Sequence, residues 1–316
     1  MKNKPILIVA GDPKSIFFEI LFKSFKTYKI KSPVVLIASL KLLNRQIKKF
    51  KFKKKVRLID YQNLKAYKLD NTKINLIDVK SNFLNNKGRK NYIKVSFDIA
   101  FRILKEGFTN KLINGPIEKT EFLEKKFLGI TEYISKNFNK KKFAMLIYNK
   151  DLSVCPVTTH LPLKLVSKKI TNSLIKEKVI LINHFYRKNL GYLPKIAVTG
   201  LNPHCESVLK YNEDEKIILP AIKYLKKKGY NVDGPYAADT IFLKQNRKRY
   251  NVILGMYHDQ VLTPIKTLKE YDAINITLGL PFLRISPDHG PNKKMINKNS
   301  SNPLSLINSL KFLDKK

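Results

Sequence analysis

Cysteine is scarce in this chain, which contains only Cys155 and Cys205 among its 316 residues. Two cysteines cannot form a disulfide framework, and these two show no Cys-x-x-Cys spacing of the kind that holds a structural zinc ion. Long apolar runs are lacking too, since none approaches the roughly 20 residues that a membrane-spanning helix needs. The first residues, "MKNKPILIVAG", indicate a buried strand and not a secretory signal. We therefore expect a cytoplasmic protein in a reducing compartment, with no structural zinc and no membrane partner.

Acidic residues are also few: 24 Asp and Glu stand against 62 Lys and Arg, which gives a formal net charge of +38. A charge of this size ordinarily suggests a nucleic acid or another anionic surface as partner. However, 54 of the basic residues are lysines and only eight are arginines, and arginine is the residue that makes bidentate contacts with phosphates and bases. Because the lysines are scattered along the chain, we do not expect nucleic acid as a partner. The positive charge could still attract small anionic substrates.

Short apolar runs alternate with longer amphipathic segments along the chain. Examples of these runs are "PILIVAG", "SPVVLIAS", "KIAVTGLNPH" and "VILGMYHDQ". Such alternation indicates βαβ units and a largely parallel sheet, in which ligands bind beyond the carboxyl ends of the strands. Because 316 residues exceed the size at which a single core usually stops growing, we expect an α/β fold with two lobes.

Three of the five histidines end the same kind of predicted strand. His160 ends "VCPVTTH", His204 ends "IAVTGLNPH" and His258 ends "VILGMYH". Three imidazoles that converge at the edge of a sheet could form an open metal site, with water or substrate completing the ligand shell. Alternatively, each is a separate hydrogen-bonded histidine at a strand end, and the pattern alone leaves both interpretations open. His184, in "LINHFYRK", has no such context and is expected to be structural.

One later segment, "TPIKTLKEYDAINITLGLPFLRISPDHG", carries four side chains that suit an anionic ligand: Lys266, Asn275, Arg284 and His289. The apolar residues around Arg284 predict that it is buried with a partner. A lysine and an arginine beside a histidine metal site suit a substrate with a phosphate or carboxylate group. For Lys266 alone, an ordinary surface position is the alternative.

Five motifs, in order, make the sequence resemble a known family: "TTHLPLK", "GLNPH", "GPYAADTIF", "MYHDQ" and "NITLGLPFLRISPDHG". They look like the motifs of 4-hydroxythreonine-4-phosphate dehydrogenase, the PdxA family of vitamin B6 biosynthesis. The resemblance implies an isocitrate/isopropylmalate dehydrogenase-like fold, with two α/β lobes, a cleft between them and a homodimer that completes each site at the subunit interface. We place the first lobe at residues 1–125 plus 280–316 and the second at residues 126–279. This is not the Rossmann fold, which agrees with the lack of a convincing Gly-x-Gly-x-x-Gly motif.

The resemblance also implies roles for individual side chains. The ligands of one divalent metal ion, Zn, Mg, Co or Mn, would be His160, His204 and His258. Contacts to the phosphorylated substrate would come from Thr131, Lys266, Asn275 and Arg284. The candidates for the proton relay are Asp239, in "AADT", and Lys266. The implied reaction is oxidation of 4-phosphooxy-L-threonine by NAD or NADP, followed by loss of CO₂ to give 3-amino-2-oxopropyl phosphate.

The chain departs from the family pattern at several positions. Its first motif, "GDPKSIFFE", has Ser15 and Phe17 at glycine positions, and "GITE" has Ile130 in place of a substrate-binding histidine. The segments after "NPH" and after "DHG" lack the family's glycines and small residues, so the cofactor-binding residues remain undefined. Two alternatives therefore stay open. One is a sister dehydrogenase acting on a 4-phosphorylated four-carbon sugar acid, such as erythronate or threonate 4-phosphate, and the other is a non-catalytic basic binding protein on the same fold.

Overall fold

The computed structural model describes residues 4–81, 83, 85–124, 126–206, 211–287, 290–296 and 298–316. The chain divides into two compact units: unit 1 is Met1–Tyr133 with Pro281–Lys316, and unit 2 is Ile134–Leu280. The lobe boundaries predicted from the sequence lie after residues 125 and 279, whereas the two units divide after Tyr133 and after Leu280.

The described residues of unit 1 form six strands, all paired in parallel. They are β1 (Ile6–Val9), β2 (Val34–Ala38), β3 (Val56–Leu58), β4 (Ile74–Asp78), β5 (Lys111–Asn114) and β12 (Leu283–Pro287). Their spatial order is β3-β4-β2-β1-β5-β12. Strands β1 and β2 are buried at every position, which is typical of parallel strands that helices cover on both faces. The predicted alternation of strands and helices is confirmed in this unit.

The helices of unit 1 follow its strands. They are α1 (Phe17–Thr27), α2 (Leu40–Lys49), α3 (Asn86–Lys105), α4 (Lys119–Leu123) and α12 (Leu304–Asp314), while α5 (Ile130–Asn137) begins in unit 1 and ends in unit 2. Side chains cap two of these helices, α2 through Ser39 and α3 through Asn85. The Asn85 side chain accepts a hydrogen bond from the N–H of Gly88 at 2.7 Å and so caps α3. Tyr92 and Phe97 of α3 are fully buried in the core of the unit.

In unit 2, the part of the chain that the structure describes forms a mixed sheet with six strands. They are β6 (Ala144–Tyr148), β7 (Ser153–Pro156), β8 (Ile196–Thr199), β9 (Val232–Tyr236), β10 (Val252–Gly255) and β11 (Ile274–Leu278). The order is β11-β6-β7-β10-β8-β9, and β6 pairs antiparallel with both β11 and β7. Only residues 149–152 connect β6 to β7, which suffices for a hairpin but not for a parallel crossover. The largely parallel sheet expected from the sequence is therefore interrupted here.

The helices of unit 2 follow its parallel strands. They are α6 (Val166–Lys169), α7 (Asn172–Phe185), α8 (Leu219–Lys227), α9 (Ala238–Ile241), α10 (Lys244–Arg247) and α11 (His258–Lys269). Helix α11 places Val261 and Ile265 in one apolar cluster with Val154 of β7 and Ile253 of β10. This packing fixes the start of α11 at the carboxyl end of β10.

The strands β7, β10 and β8 are neighbours, with β10 in the middle. Gly255 pairs with Pro156 of β7, and Leu254 pairs with Val198 of β8. Because parallel strands end at the same edge of a sheet, the segments that carry the three candidate metal ligands leave the sheet side by side.

Candidate active site

Hydrogen bonds continue the pairing of β7 with β10 beyond the ends of both strands. The N–H of Val157 donates to the carbonyl oxygen of Gly255 at 2.7 Å. The hydroxyl of Thr158 donates to the carbonyl oxygen of Met256 at 2.8 Å. These bonds keep the two chain segments together until they reach His160 and the start of α11.

The imidazole rings of His160 and His258 lie close together at this edge. Their centroids are 5.8 Å apart and their planes differ by 40°. Two imidazoles that bind one ion through nitrogens about 2.0–2.1 Å away have centroids roughly 5–6 Å apart. The pair therefore fits two ligands of one divalent metal ion.

The neighbouring carboxylate of Asp259 orients the ring of His258. Its Oδ1 lies 2.6 Å from Nδ1 of His258. A ring that donates its Nδ1–H to a carboxylate adopts the tautomer whose Nε2 can bind a metal ion. The sequence pair His-Asp in "MYHDQ" thus supplies a candidate ligand together with the group that orients it.

His204 lies in the exposed turn that follows β8, and its backbone conformation is unusual. Its φ is 56° and that of Cys205 is 62°, in the left-handed region that non-glycine residues seldom adopt. Such strain persists only where the surroundings hold the backbone in place. Asp214, 1% exposed, accepts hydrogen bonds from the N–H groups of Leu201 at 2.7 Å and Asn202 at 3.1 Å. This buried carboxylate holds the beginning of the His204 turn.

The three histidines do not form a complete metal site within one chain. In the part of the chain that the structure describes, no group of three or more His, Cys, Asp or Glu side chains is arranged to hold a metal ion. His160 and His258 provide two candidate ligands.

Arg284, on β12 of unit 1, is buried with only 3% of its surface exposed. Its Nε donates to Oδ1 of Asn114 at 2.7 Å, and its Nη1 donates to Oγ1 of Thr131 at 3.4 Å. Burial lowers the pKa of Arg284 to about 10, while the negative charge of Glu132 acts in the opposite direction. The guanidinium therefore remains charged at neutral pH. The structure thus brings together two of the predicted substrate contacts, Arg284 and Thr131.

Asn114 is a member of this cluster that the sequence did not single out. It ends β5, and its Nδ2 donates to the carbonyl oxygen of Gly115 at 2.9 Å. The available signal was a polar residue that closes the apolar run "KLIN" directly before a glycine. The same pattern, a polar residue that closes an apolar run, predicts His160, His204 and His258 as candidate site residues.

The remaining predicted side chains lie in unit 2. Lys266 is half-buried on α11, about 12 Å along the helix from His258. In β11, Oδ1 of Asn275 is buried and has no hydrogen-bond partner among the described residues, so it can accept from a ligand. Asp239 is exposed in the first turn of α9. His289 lies outside the described residues.

Comparisons with known proteins identify the family of this chain. A family model described as "Pyridoxal phosphate biosynthetic protein PdxA" matches residues 29–313. The chain is 36% identical over 320 residues to the 4-hydroxythreonine-4-phosphate dehydrogenase of Sulfurihydrogenibium sp. (strain YO3AOP1), covering 97% of this chain and 96% of that protein. This chain belongs to the PdxA family.

Solved structures place the same family on this fold. The crystal structure of 4-hydroxythreonine-4-phosphate dehydrogenase from Klebsiella pneumoniae superimposes with a TM-score of 0.83 at 28% identity, over 98% of each chain. An isocitrate dehydrogenase from Methylococcus capsulatus superimposes with a TM-score of 0.50 at 10% identity, over 96% of this chain and 83% of that chain, which is a likeness of fold alone. The expected isocitrate dehydrogenase-like α/β fold is confirmed. Among the described residues, no helix is both long and apolar enough to cross a membrane.

Two of the departures from the PdxA glycine pattern are accommodated within unit 1. Gly11 stands at a position where the PdxA pattern also has a glycine. Its φ is +80° and a Cβ there would lie 2.5 Å from the carbonyl oxygen of Pro116, so a larger residue does not fit. The Ser15 hydroxyl donates to the carbonyl oxygen of Asp12 at 2.7 Å and accepts from the N–H of Phe17 at 3.3 Å. Phe17 is fully buried. Ser15 and Phe17 thus stabilise the start of α1, where the PdxA pattern has glycines.

The third departure, Ile130, lies beside the arginine cluster. It is the first residue of α5, is 8% exposed and directly precedes Thr131, the hydrogen-bond partner of Arg284. An isoleucine side chain offers no hydrogen bond at a position where the PdxA pattern has an imidazole. The surroundings of the Arg284 cluster are therefore more apolar at this position than the family pattern implies.

A cavity of about 410 Å³ lies in unit 1 at the amino-terminal ends of β2 and β4. Its lining includes Lys26, Lys29, Lys54 and Lys73. It lies at the opposite edge of the sheet from Asn114, which ends β5, and none of the predicted site residues lines it. We therefore assign the candidate site to the carboxyl edges of the strands and not to this cavity.

Proposed function

We propose that this chain oxidises the secondary alcohol of 4-phosphooxy-L-threonine with NAD⁺ or NADP⁺ and then releases CO₂, giving 3-amino-2-oxopropyl phosphate for pyridoxal phosphate biosynthesis. The observation that carries the proposal is the PdxA match over nearly the whole chain. A hydride passes to the nicotinamide and the hydroxyl proton goes to a base. CO₂ then departs from the β-keto acid, the bonding electrons remain on the substrate carbon, and that carbon takes up a proton.

We propose His160, His204 and His258 as ligands of one divalent metal ion, which could be Zn, Mg, Co or Mn. The 5.8 Å ring separation of His160 and His258, together with Asp259 beside His258, supports two of the three. When bound, such an ion would polarise the substrate oxygen and stabilise the negative charge that decarboxylation produces. The task of the chain is to hold the imidazoles in the orientation that the ion requires.

A homodimer is part of the proposal, because the described residues of one chain bring only two of the three proposed ligands together. No three-ligand group exists in the described part of a single chain, and His204 is exposed, so a second subunit has access to it. We propose that ligands from two subunits meet at each site.

The anionic groups of the substrate are assigned to Arg284, Thr131, Asn275 and Lys266. Arg284 supports this assignment best, because it is a buried cation and its planar guanidinium suits a phosphate or carboxylate. The buried Oδ1 of Asn275 can accept a hydrogen bond from the substrate. The net charge of this chain is strongly positive, so its electrostatic field would also attract the anionic substrate.

Lys266 and Asp239 are the proposed proton carriers. They lie on α11 and α9, the helices that follow β10 and β9. Their elements therefore leave the sheet at the same edge as the histidine segments. The pH dependence of kcat/KM distinguishes which of the two acts as the acid and which as the base.

We propose a cytoplasmic location for this chain. Both cysteines are free thiols, which agrees with a cytoplasmic location. We propose no nucleic-acid partner, because the positive charge is carried by scattered lysines.

A turnover assay tests the proposed reaction. Purified protein is supplied with NAD⁺ or NADP⁺, one of several divalent metals, and either 4-phosphooxy-L-threonine or erythronate 4-phosphate, and reduced nicotinamide is followed by absorbance. We expect turnover of the amino-acid phosphate and loss of activity after treatment with a chelator. Turnover of the sugar-acid phosphate alone would replace the substrate assignment, and no turnover of either compound would favour the non-catalytic binding protein.

A further inference from the structure

The side-chain amide of Gln260, in the first turn of α11, joins two strand ends of unit 2. Its Oε1 accepts from the N–H of Met256 at 2.7 Å and from the hydroxyl of Thr199 at 2.8 Å. Its Nε2 donates to the carbonyl oxygen of Gly200 at 2.8 Å. Met256 directly follows β10, Thr199 ends β8, and Gly200 begins the segment that leads to His204. One amide therefore ties the end of β10 to the end of β8.

This link lies beyond the backbone pairing of the two strands. The register of β8 with β10 runs to Val198 and Leu254. Past that point, the hydrogen bonds of Gln260 connect the segment leading to His204 with the segment leading to His258. The distance between these two histidine segments is therefore set in part by a single side chain.

The surrounding structure leaves room for this amide and holds the loop from the other side. A Cβ on Gly255 would lie 3.0 Å from Oε1 of Gln260 and 2.3 Å from a methyl of Val261, so only glycine fits beside the amide. Asp214 accepts from the N–H of Leu201, the residue directly after Gly200. The start of the His204 turn is thus held between the amide of Gln260 and the carboxylate of Asp214.

We propose that Gln260 is a positioning residue that sets the placement of His204 and His258 as metal ligands. This inference rests on the proposed function, because it presupposes that these histidines bind a metal ion. Loss of the amide removes three hydrogen bonds at once and frees the His204 turn to sample more positions. Metal affinity should then fall, because the ligands must be reordered when the ion binds.

The test measures Co²⁺ affinity of the metal-free full chain by titration, followed by the visible absorption of the bound ion. Gln260→Met keeps the length of the side chain but makes none of the three hydrogen bonds, and Thr199→Val removes one of them. The control is Asn183→Leu, which removes another buried amide of unit 2, whose Nδ2 donates to the carbonyl oxygen of Val179 within α7. Thermal unfolding of the metal-free proteins reports the structural effect of each change.

We expect Gln260→Met to weaken Co²⁺ binding by roughly tenfold or more, Thr199→Val to weaken it less, and Asn183→Leu to leave it unchanged even if stability falls. Excess Co²⁺ should restore the kcat of Gln260→Met, which a purely structural defect would not allow.

A folded Gln260→Met variant with wild-type Co²⁺ affinity overturns the role of Gln260 and leaves the proposed function standing. If Gln260→Met does not fold, unchanged affinity in Thr199→Val overturns the role. If the wild type does not bind Co²⁺, or if His258→Ala binds it equally well, the proposed metal site fails and the inference fails with it.

Discussion

The rings of His160 and His258 lie 5.8 Å apart although they belong to different strand-end segments. Their proximity follows from the parallel pairing of β7 with β10, which places Pro156 beside Gly255. Hydrogen bonds from Val157 and Thr158 extend this pairing toward the two rings. The pair is thus a product of sheet topology and not of sequence proximity.

Replacement of either histidine of the pair by alanine should abolish most activity without unfolding the chain. His160 and His258 are half-buried at a sheet edge, so truncation removes a proposed metal ligand but little of the core. We expect a loss of at least about 100-fold in kcat/KM, because a bound ion would supply several kcal/mol of charge stabilisation. His184→Ala, on the exposed side of α7, is the matched control and should keep wild-type activity. Activity within twofold of wild type in either variant would remove that histidine from the site.

Mixed dimers test whether two subunits share each metal site. His204→Ala and His258→Ala proteins, each inactive alone, are unfolded together, refolded and assayed. If His204 of one subunit and His258 of the other serve the same site, a mixed dimer contains one intact site and activity returns. If both ligands come from one chain, every site in the mixture lacks a ligand and the mixture stays inactive.

Arg284→Lys should impair substrate binding although it preserves the positive charge. Lysine cannot donate in the same geometry to both Asn114 and Thr131, and it cannot form a bidentate contact with the substrate. We expect KM to rise roughly tenfold or more, and the free energy of unfolding to fall by about 1–3 kcal/mol, because buried polar groups lose partners. Arg102→Lys, at an exposed ion pair with Glu106, should change neither quantity. An unchanged KM in Arg284→Lys would exclude Arg284 from the substrate site.

Ile130→His tests the substrate assignment. If the substrate is 4-phosphooxy-L-threonine, a histidine beside Thr131 should improve its turnover or leave it unaffected. An unpaired polar group in a closed site costs about 1–3 kcal/mol, so the gain could reach a factor of roughly 5 to 150 in kcat/KM. If Ile130 instead shapes the pocket for a sugar-acid phosphate, the substitution should depress activity on that compound alone. Both substrates are measured with both proteins.

The carboxylate of Asp314 should make the stability of unit 1 depend on pH. Burial raises its pKa, but hydrogen bonds from the N–H groups of Lys31 and Ser32 and from the Tyr28 hydroxyl outweigh burial, so the pKa lies below its usual value. A depressed folded-state pKa contributes stability above the unfolded value of about 4, and this contribution is lost as the pH falls through the folded-state pKa.

Urea unfolding of wild type and Asp314→Asn at several pH values measures this contribution. We expect a difference of about 1 kcal/mol at pH 7, discounted for partial exposure, that narrows as the pH falls below the unfolded-state pKa of about 4. Asp98→Asn, at an exposed ion pair with Lys94, should differ from wild type by only a few tenths of a kcal/mol at any pH. A wild-type advantage that grows as the pH falls would contradict the expected sign.

The α/β class and the family were predictable from the chain because their signals are local. Apolar runs such as "VILG" are long enough to form strands, and motifs such as "MYHDQ" are contiguous in the sequence. The same pattern placed polar side chains after the strands, which led to His160, His204 and His258. It did not reveal the antiparallel β6, whose direction follows from the short connection to β7.

By itself, the sequence determined which residues end the strands and which motifs they form, because backbone preference and apolar patterning act over short stretches. Only the tertiary structure decided which of those ends meet. The parallel register of β10 with β7 brings His160 to His258, β12 and β5 bring Arg284 to Asn114, and the amide of Gln260 reaches from α11 to the end of β8. These contacts join segments far apart in the chain, and they depend on strand order and side-chain packing, which no local pattern encodes.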